Sequence, residues 1–462
     1  MAEGYKAAAK RALAEQPHVR DSVTKATLHF NANRERAYGE VDAEAWRDWA
    51  AAVKRHLLGR LDEYLTEAES RLSAAGAQVH WAENAADAQK ILDDLVERHG
   101  VRRVVKGKSM LSEEVEVNHH LERKGVEVFE TDLGEYIIQL AGEPPSHIVG
   151  PAIHKGLEEI RALFHEKLGT RPDASPEELA AAARKVLREA FLTADMGISG
   201  ANFVVAETGT VVLVENEGNI RLSTSAPRVH VALVGIEKLL PRAADLEVFL
   251  QLLARAATGQ KIGTFVSLIQ GPRRADEPDG PEELHVIFVD NGRSSVLADG
   301  EMYEALSCIR CGACLNACPV YRQTGGHAYG QVYSGPIGIV LTPGLKDPAL
   351  AAELGYACSL CTACADVCPV RIPLPKQILA WRRRSVERGL APAAEKLAFT
   401  GYAGMVTRPR FYKLGGKLLR LGRGLTGAPW LPVLGAWASG HGPLEPSPKS
   451  FREIWEEELG DE

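Results

Sequence analysis

No run of about 18 apolar residues occurs in the 462-residue sequence, which excludes a bilayer-spanning helix by the usual length criterion. The first residues, Met1 to Arg11, also lack the unbroken apolar stretch and small-residue cleavage site of a secretory signal, and they read as a surface helix. Cysteine is missing outside two short stretches, where its spacing is that of a metal ligand; such thiols must stay reduced, so a cytoplasmic protein is expected, soluble or membrane-peripheral. Positive charge is not in excess: the formal net charge of −7 disfavours a general affinity for nucleic acid. A credible nucleotide fingerprint is lacking too. Gly422-Arg-Gly424-Leu-Thr-Gly427 fits the dinucleotide pattern letter by letter, but no strand precedes it and Pro429 stops any helix after it, so neither flavin nor nicotinamide is expected.

What is present is the balance of a globular protein, with 45% hydrophobic and 25% charged residues over a length that suits two or three domains. Residues 1–75 carry apolar positions at three- and four-residue intervals, as in Val41 to Val53, and form a helical lead-in. From 76 to 297, short apolar runs alternate with amphipathic helices. The expected strands are Gln78–Ala82, Val101–Val105, Val126–Phe129, Ala201–Ala206, Val211–Val214, Val229–Val234, Phe265–Ile269 and Leu284–Val289. Helices are expected near 84–99, 112–124, 155–168 and 176–191. Alternation of this kind implies a parallel, helix-covered sheet, hence an α/β domain, and Gly271 to Pro281 reads as an exposed loop between two strands.

The cysteines follow, in a region expected to span 298–378. Cys308-Ile-Arg-Cys311-Gly-Ala-Cys314-Leu-Asn-Ala-Cys318-Pro and Cys358-Ser-Leu-Cys361-Thr-Ala-Cys364-Ala-Asp-Val-Cys368-Pro use all eight cysteines of the chain. Three thiolates at two-residue gaps wrap three corners of a cubane, and in two-cluster ferredoxins the fourth thiolate ligates the other cluster. One [4Fe-4S] cluster would take Cys308, Cys311, Cys314 and Cys368; the other would take Cys358, Cys361, Cys364 and Cys318. The alternative is a pair of zinc sites, which usually pair their cysteines two and two. Triplet-plus-one units that both end in Cys-Pro favour cubanes. Two adjacent cubanes with every iron corner held by the protein leave no substrate position, so electron relay is the natural function. The 40 positions from Cys318 to Cys358 suit an all-α, helical ferredoxin module better than a small β-containing one.

In the α/β region, Val105-Lys-Gly-Lys-Ser109-Met-Leu-Ser112 reads as a strand running into a helix capped near Ser112, an anion site with Lys106 and Lys108 beside it or simply a solvated strand end. Ala206-Glu207-Thr-Gly-Thr-Val211, followed by Asn216-Glu-Gly-Asn219, reads as a hairpin. These segments, with Glu130 to Leu140, Pro145 to His154, Asp195 to Asn202 and the doubled cysteine motif, resemble the lactate utilisation B family of iron-sulfur proteins over nearly the whole chain. The resemblance implies an isomerase and coenzyme-A-transferase-like α/β domain, a helical ferredoxin domain with two [4Fe-4S] clusters, and a family-specific C-terminal region. It further implies companion subunits with which the protein carries electrons as L-lactate is oxidised to pyruvate. All eight cysteines map onto the family's cluster ligands. No settled catalytic residues carry over, and Lys106, Lys108, Ser109, Glu207 and Asn216 are pocket candidates only.

Rival readings make the α/β domain an enzyme for a small hydroxy acid or phosphorylated compound, or the whole chain a redox sensor or scaffold. The histidines His119, His120, His147, His154 and His230 lack the paired spacing of a helical zinc site and are expected to cap, hydrogen bond or face solvent. Residues 379–462 form the remaining region, basic at first and acidic at its end. From Lys376 to Arg423 twelve Lys and Arg oppose only Glu387 and Glu395, which suits an acidic partner surface, an anionic membrane surface or a solvated helical face.

Overall fold

Runs such as Val229 to Val234 are apolar along almost their whole length, the pattern of a strand covered on both faces. A computed structural model, which describes residues 3–391, 393–422 and 447–460, builds them in that way. Among the described residues ten strands form: β1 Gln78–Ala82, β2 Arg103–Lys106, β3 Glu127–Glu130, β4 Met196–Ser199, β5 Phe203–Val205, β6 Thr210–Glu215, β7 Val229–Gly235, β8 Leu239–Leu240, β9 Phe265–Ile269 and β10 Glu283–Val289. Six of them make one parallel sheet in the order β1-β10-β7-β4-β2-β3. Central strand β7 is buried at every residue. Chain order runs outward from β2 to β3 and then crosses back to β4, so the sheet has a topological switch between β2 and β4, the place where open α/β sheets bind ligands.

A second sheet, β8-β5-β6-β9, is mixed: β5–β6 and β6–β9 are antiparallel, while β5–β8 is parallel. The expected hairpin is β5–β6, closed by Gly209 at φ 64°, a left-handed value that glycine adopts without strain. Strands β4 and β8 had no counterpart in the sequence reading. Met-Gly-Ile-Ser and Leu-Leu are too short to show a period of two. The helix expected over 112–124 is two helices, Met110–Glu114 and Val117–Arg123, broken at Glu116 with φ 54°. Its cap is Ser109 rather than Ser112: the Ser109 hydroxyl accepts from the Ser112 N–H at 3.2 Å.

The lead-in becomes four helices, Tyr5–Glu15, Pro17–Tyr38, Ala43–Leu58 and Leu61–Ala74. They do more than precede the sheet. Asn31 donates to the Asn316 carbonyl at 2.8 Å, and Arg47 donates to the carbonyls of Cys368 (3.1 Å) and Asp366 (2.7 Å), so helices from the start of the chain hold loops near its end. The cysteine region contains short helices, among them Ala313–Ala317, Pro319–Thr324, Gly335–Leu345 and Ala363–Asp366, and no strand among the described residues. Its core is continuous with that of the lead-in and the second sheet: Val23, Phe203, Phe249, Ile309, Tyr321 and Ile337 belong to one buried cluster. Met1–Ser385 accordingly forms one compact unit and Val386–Glu462 another. In the latter, helix Pro409–Leu421 leaves Phe411, Leu414, Leu418 and Leu421 exposed between its basic residues. No helix of the described residues is long and apolar enough to cross a membrane. The fingerprint-like stretch from Arg423 to Gly427, Pro429 and Trp430 lie outside the described residues.

Buried near the start of β7, the His230 ring is bonded at Nε2 to the Ser199 hydroxyl at 2.8 Å and has no partner at Nδ1. Burial, and then the neighbouring His285, lower its pKa to about 3. The unfolded chain therefore takes up a proton near pH 6.5 that the folded chain refuses, and stability falls as pH drops below that value, by about 1.4 kcal/mol per pH unit for such a group. Urea unfolding between pH 7 and 5 is expected to show this loss, and His230→Gln to flatten it; an unchanged slope in the variant would place the proton uptake elsewhere.

Candidate cluster sites and the adjoining cavity

Both cysteine motifs fold into the same loop. The second residue after the leading cysteine, Arg310 or Leu360, has a left-handed backbone with φ 60° or 56°, and so does the fourth, Gly312 or Thr362, with φ 76° or 67°. Three of the four are not glycine, and holding them there costs of order 1 kcal/mol each. The loop turns its N–H groups inward in return. Arg310 N–H and Leu360 N–H donate to the thiols of Cys308 (3.4 Å) and Cys358 (3.2 Å), while Tyr321 N–H and Ile372 N–H donate to Cys318 (3.5 Å) and Cys368 (3.3 Å). Donors aimed at sulfur favour the thiolate form that iron requires.

Cys308, Cys311, Cys314 and Cys368 together line one small cavity, closed by Ile148, Ile309, Ile337, Val370, Ile372 and Leu374. The Cys318 thiol lies within the electrostatic reach of Cys358 and Cys361, and Cys364 within that of Cys358, Cys318 and Cys361. Burial, followed by the nearby thiols, pushes Cys364 up to about 12, and burial pushes Cys368 up to about 11. Thiols so placed become thiolates only with a cation among them. Among the described residues, the sets of His, Cys, Asp and Glu whose ligand atoms all lie within 4.8 Å are His99–Glu283–His285 and Glu143–His154–His327. Four thiols around one apolar-walled cavity fit a multi-iron core. Mutual hydrogen bonds account for much of the two histidine sets: His154 Nε2 meets Glu143 at 2.8 Å and His285 Nε2 meets Glu283 at 3.2 Å. Of the other histidines, His120 meets Asp93 at 2.8 Å and His119 is exposed.

A second cavity, of about 280 Å³, adjoins the first, and Ile148 and Cys311 belong to the walls of both. It lies beyond the carboxyl ends of β2, β4 and β7 and is closed on its far side by Arg310 and Tyr333 of the cysteine region. A chain of buried charges frames it. Arg293 makes a bidentate pair with Glu114 (2.8 and 2.9 Å) and reaches Glu237 at 2.6 Å; Arg310 takes the other Glu237 oxygen at 3.1 Å, and the Tyr333 hydroxyl donates to Glu114 at 2.6 Å. Arg293 and Arg310 hold the Glu237 carboxyl, despite burial, at about 2. On another side, the segment Pro145–Pro151 is locked to the first motif. Tyr321 donates to the Ser146 carbonyl at 2.7 Å, and His147 Nε2 meets Asn316 Oδ1 at 3.1 Å while its Nδ1 accepts from the N–H groups of Val149 and Gly150 at 3.1 Å each. Burial drops the His147 pKa to about 4, so the ring is neutral and this pattern fixes its proton on Nε2.

The five pocket candidates separate. Lys108, Ser109 and Asn216 line the cavity, whereas Lys106 and Glu207 do not. Lys106 is fully buried in a pair with Glu130 (2.8 Å) and Glu113 (3.1 Å) and donates to Ser112 Oγ at 2.9 Å. Glu207 accepts from the Ala243 N–H at 2.8 Å at the start of helix Ala243–Thr258. Within the cavity, Lys108 is bound by Asp132 (3.1 Å) and the Val149 carbonyl (2.9 Å), and Asn216 is spent on Gln260 and Thr264. Arg310, Lys238, Glu237 and Tyr333 were not singled out from the sequence. Only position gave a hint: Lys238 follows an apolar strand at its carboxyl end, and Arg310 sits inside the first motif.

Family models match along the chain: a LUD domain over residues 65–289, a 4Fe-4S dicluster domain over 304–372, and the lactate utilisation protein B C-terminal region over 382–459. Lactate utilization protein B of Bacillus licheniformis is 46% identical over 402 residues, covering 86% of this chain and 84% of its own. The chain belongs to the lactate utilisation protein B family. The Oceanobacillus iheyensis member of that family is 42% identical over 95% of this chain and 93% of its own length, and the electron transport protein YkgF of Escherichia coli is 46% identical over 87% and 84%. A solved DUF162 family protein from Deinococcus radiodurans aligns with 50% of this chain and 98% of its own at 17% identity, with a TM-score of 0.26. As a lactate utilisation iron-sulfur protein, the chain holds [4Fe-4S] in the region where its cysteines gather.

The buried position of Lys106 generates a prediction. Lys106→Met leaves Glu130 and Glu113 without their cation, beside a Glu135 whose carboxyl is already pushed well above the ordinary range by burial and by Glu130. Urea unfolding should show a loss of about 3–5 kcal/mol. Unchanged stability would remove Lys106 from the framework.

Proposed function

We propose that this chain is the electron-carrying subunit of an L-lactate oxidising system, in which companion subunits take the electrons as L-lactate becomes pyruvate. The oxidation of a hydroxy acid to an oxo acid releases two electrons and two protons. Two [4Fe-4S] clusters, each exchanging one electron, would accommodate that pair and pass it on. The ligand sets are Cys308, Cys311, Cys314 and Cys368 for one cluster and Cys358, Cys361, Cys364 and Cys318 for the other. The observation that carries the reading is the small cavity walled by the first of these sets, because it joins the fourth cysteine of one motif to the triplet of the other.

The surrounding residues suit a relay. An isoleucine and valine shell lines the first set, and Arg47 and Arg382 fix the loops by donating to the carbonyls of Cys368 and Cys358. Exposure is unequal: Cys361 faces solvent, Cys308, Cys314 and Cys358 are half-buried, and Cys311, Cys318, Cys364 and Cys368 are buried. Electrons would cross to a partner at the second motif. We read residues 1–75, 76–297, 298–378 and 379–462 as lead-in, lactate-utilisation domain, ferredoxin domain and C-terminal region, the last offering its basic helices to a companion subunit or an anionic membrane surface.

Electron paramagnetic resonance of the anaerobically purified chain, alone and with its companions, before and after L-lactate, tests the proposal. Signals of reduced [4Fe-4S] are expected only with companions and L-lactate both present; reduction of the lone chain by L-lactate would place the oxidation chemistry within this chain.

A further inference from the structure

Glu283 and His285 stand two positions apart at the start of β10, so strand alternation puts both side chains on one face of the sheet. This is the amino edge of the parallel sheet, whereas the large cavity lies beyond its carboxyl edge. Helix Ala85–His99 ends beside them and brings up His99, so that one ligand atom of each of the three lies within 4.8 Å of the others. Two of the atoms converge on one oxygen: His285 Nε2 is 3.2 Å and His99 Nε2 3.6 Å from Glu283 Oε2. A hydrogen bond accounts for the first contact, but 3.6 Å is too long for one, and His99 Nε2 is buried with no hydrogen-bond partner in a ring only 11% exposed. With a proton, that nitrogen meets Glu283 as a loose ion pair; without one, its lone pair is buried with nothing to accept. The groups behind the three have the form of an outer shell. His80 Nε2 meets His285 Nδ1 at 3.0 Å, so a ring proton on Nδ1 frees His285 Nε2 to ligate, and Gln78 orients the carboxylate by donating to Glu283 Oε2 at 2.9 Å. The carbonyl end of a 15-residue helix favours a cation here, while Arg98 brings its like charge to His80, one shell further out.

We propose that His99, Glu283 and His285 bind one zinc ion, through His99 Nε2, His285 Nε2 and Glu283 Oε2. Zinc bonds of about 2.0–2.2 Å to nitrogen and oxygen set tetrahedral ligand atoms roughly 3.3–3.6 Å apart. The separations of 3.2 and 3.6 Å fall at the two ends of that range, so binding needs little movement of the side chains. Two imidazoles and one carboxylate suit zinc, whereas calcium and magnesium take shells of oxygen. Glu283 is 35% exposed, which gives the ion a path from solvent and leaves its fourth position to water; two histidines and a glutamate with water make up an open zinc site rather than a closed structural one. The ion ties the end of helix Ala85–His99 to β10 and, through His80 and Gln78, to β1, the edge strand that carries them. None of its ligands is a cysteine, so the site stands whether or not the cysteine motifs relay electrons.

Zinc and iron counted by plasma mass spectrometry test this, on the full chain purified anaerobically, exposed to zinc chloride and passed through gel filtration. The parent is expected to keep one zinc ion per chain more than His99→Gln or Glu283→Gln, at equal iron, and zinc should raise the thermal midpoint of the parent while leaving that of His99→Gln unmoved. X-ray absorption at the zinc edge of the parent should show nitrogen and oxygen ligands at about 2.0–2.2 Å and no sulfur near 2.3 Å. Equal zinc in the parent and His99→Gln, a parent that keeps no zinc, or sulfur among the zinc ligands would each overturn the assignment. The absorption spectrum needs the parent alone, so it decides the matter even where a variant fails to fold.

Discussion

The ion-pair chain from Arg310 through Glu237 and Arg293 to Glu114 and Tyr333 fixes the relation on which the rest of the main unit depends, that of the sheet's carboxyl edge to the first cysteine loop. Its two guanidinium groups and two carboxylates cancel, so the desolvation of four charges is offset within the chain rather than by water. Breaking it by removing one member would strand a buried charge at a cost of about 3–5 kcal/mol. Arg310 is held further by its stacking over the Tyr333 ring, 4.9 Å from the centroid. A loop that must sit with two left-handed residues in seven needs such anchoring, and the same loop carries three thiols.

Asn316 performs the complementary task on the other side of the motif. Its carbonyl accepts from Asn31, its amide donates to the Ala257 carbonyl at 3.2 Å, and its side-chain oxygen meets His147. The lead-in, the helix covering the second sheet, and the segment after the sheet's edge thus converge between Cys314 and Cys318. This explains why helices at the start of the chain and cysteines far along it share one core. Among the eight thiols, Cys311 is buried beside the large cavity while Cys361 reaches the surface.

Much of this was legible in the residues, and the reasons differ from element to element. Strands β1, β7, β9 and β10 announced themselves because five or more residues ran with one pattern, whereas β4 and β8 exist only through their neighbours. Cysteine spacing pointed to [4Fe-4S] chemistry at once, since three thiols of each motif fall within one local loop. Lys106 misled for the opposite reason. Its chemistry depends on Glu130, which lies 24 positions away and is brought close by parallel pairing of β2 with β3. No periodicity could join Asn31 to Asn316.

Crossed ligation of the two motifs is the central claim, and iron analysis of paired cysteine variants tests it most directly. If Cys318 and Cys358 serve one cluster, the double variant Cys318→Ala with Cys358→Ala keeps about four irons per chain, while Cys318→Ala with Cys308→Ala loses nearly all. The opposite pattern, with iron lost from the first pair and kept in the second, would show that each motif closes its own cluster and would contradict the account.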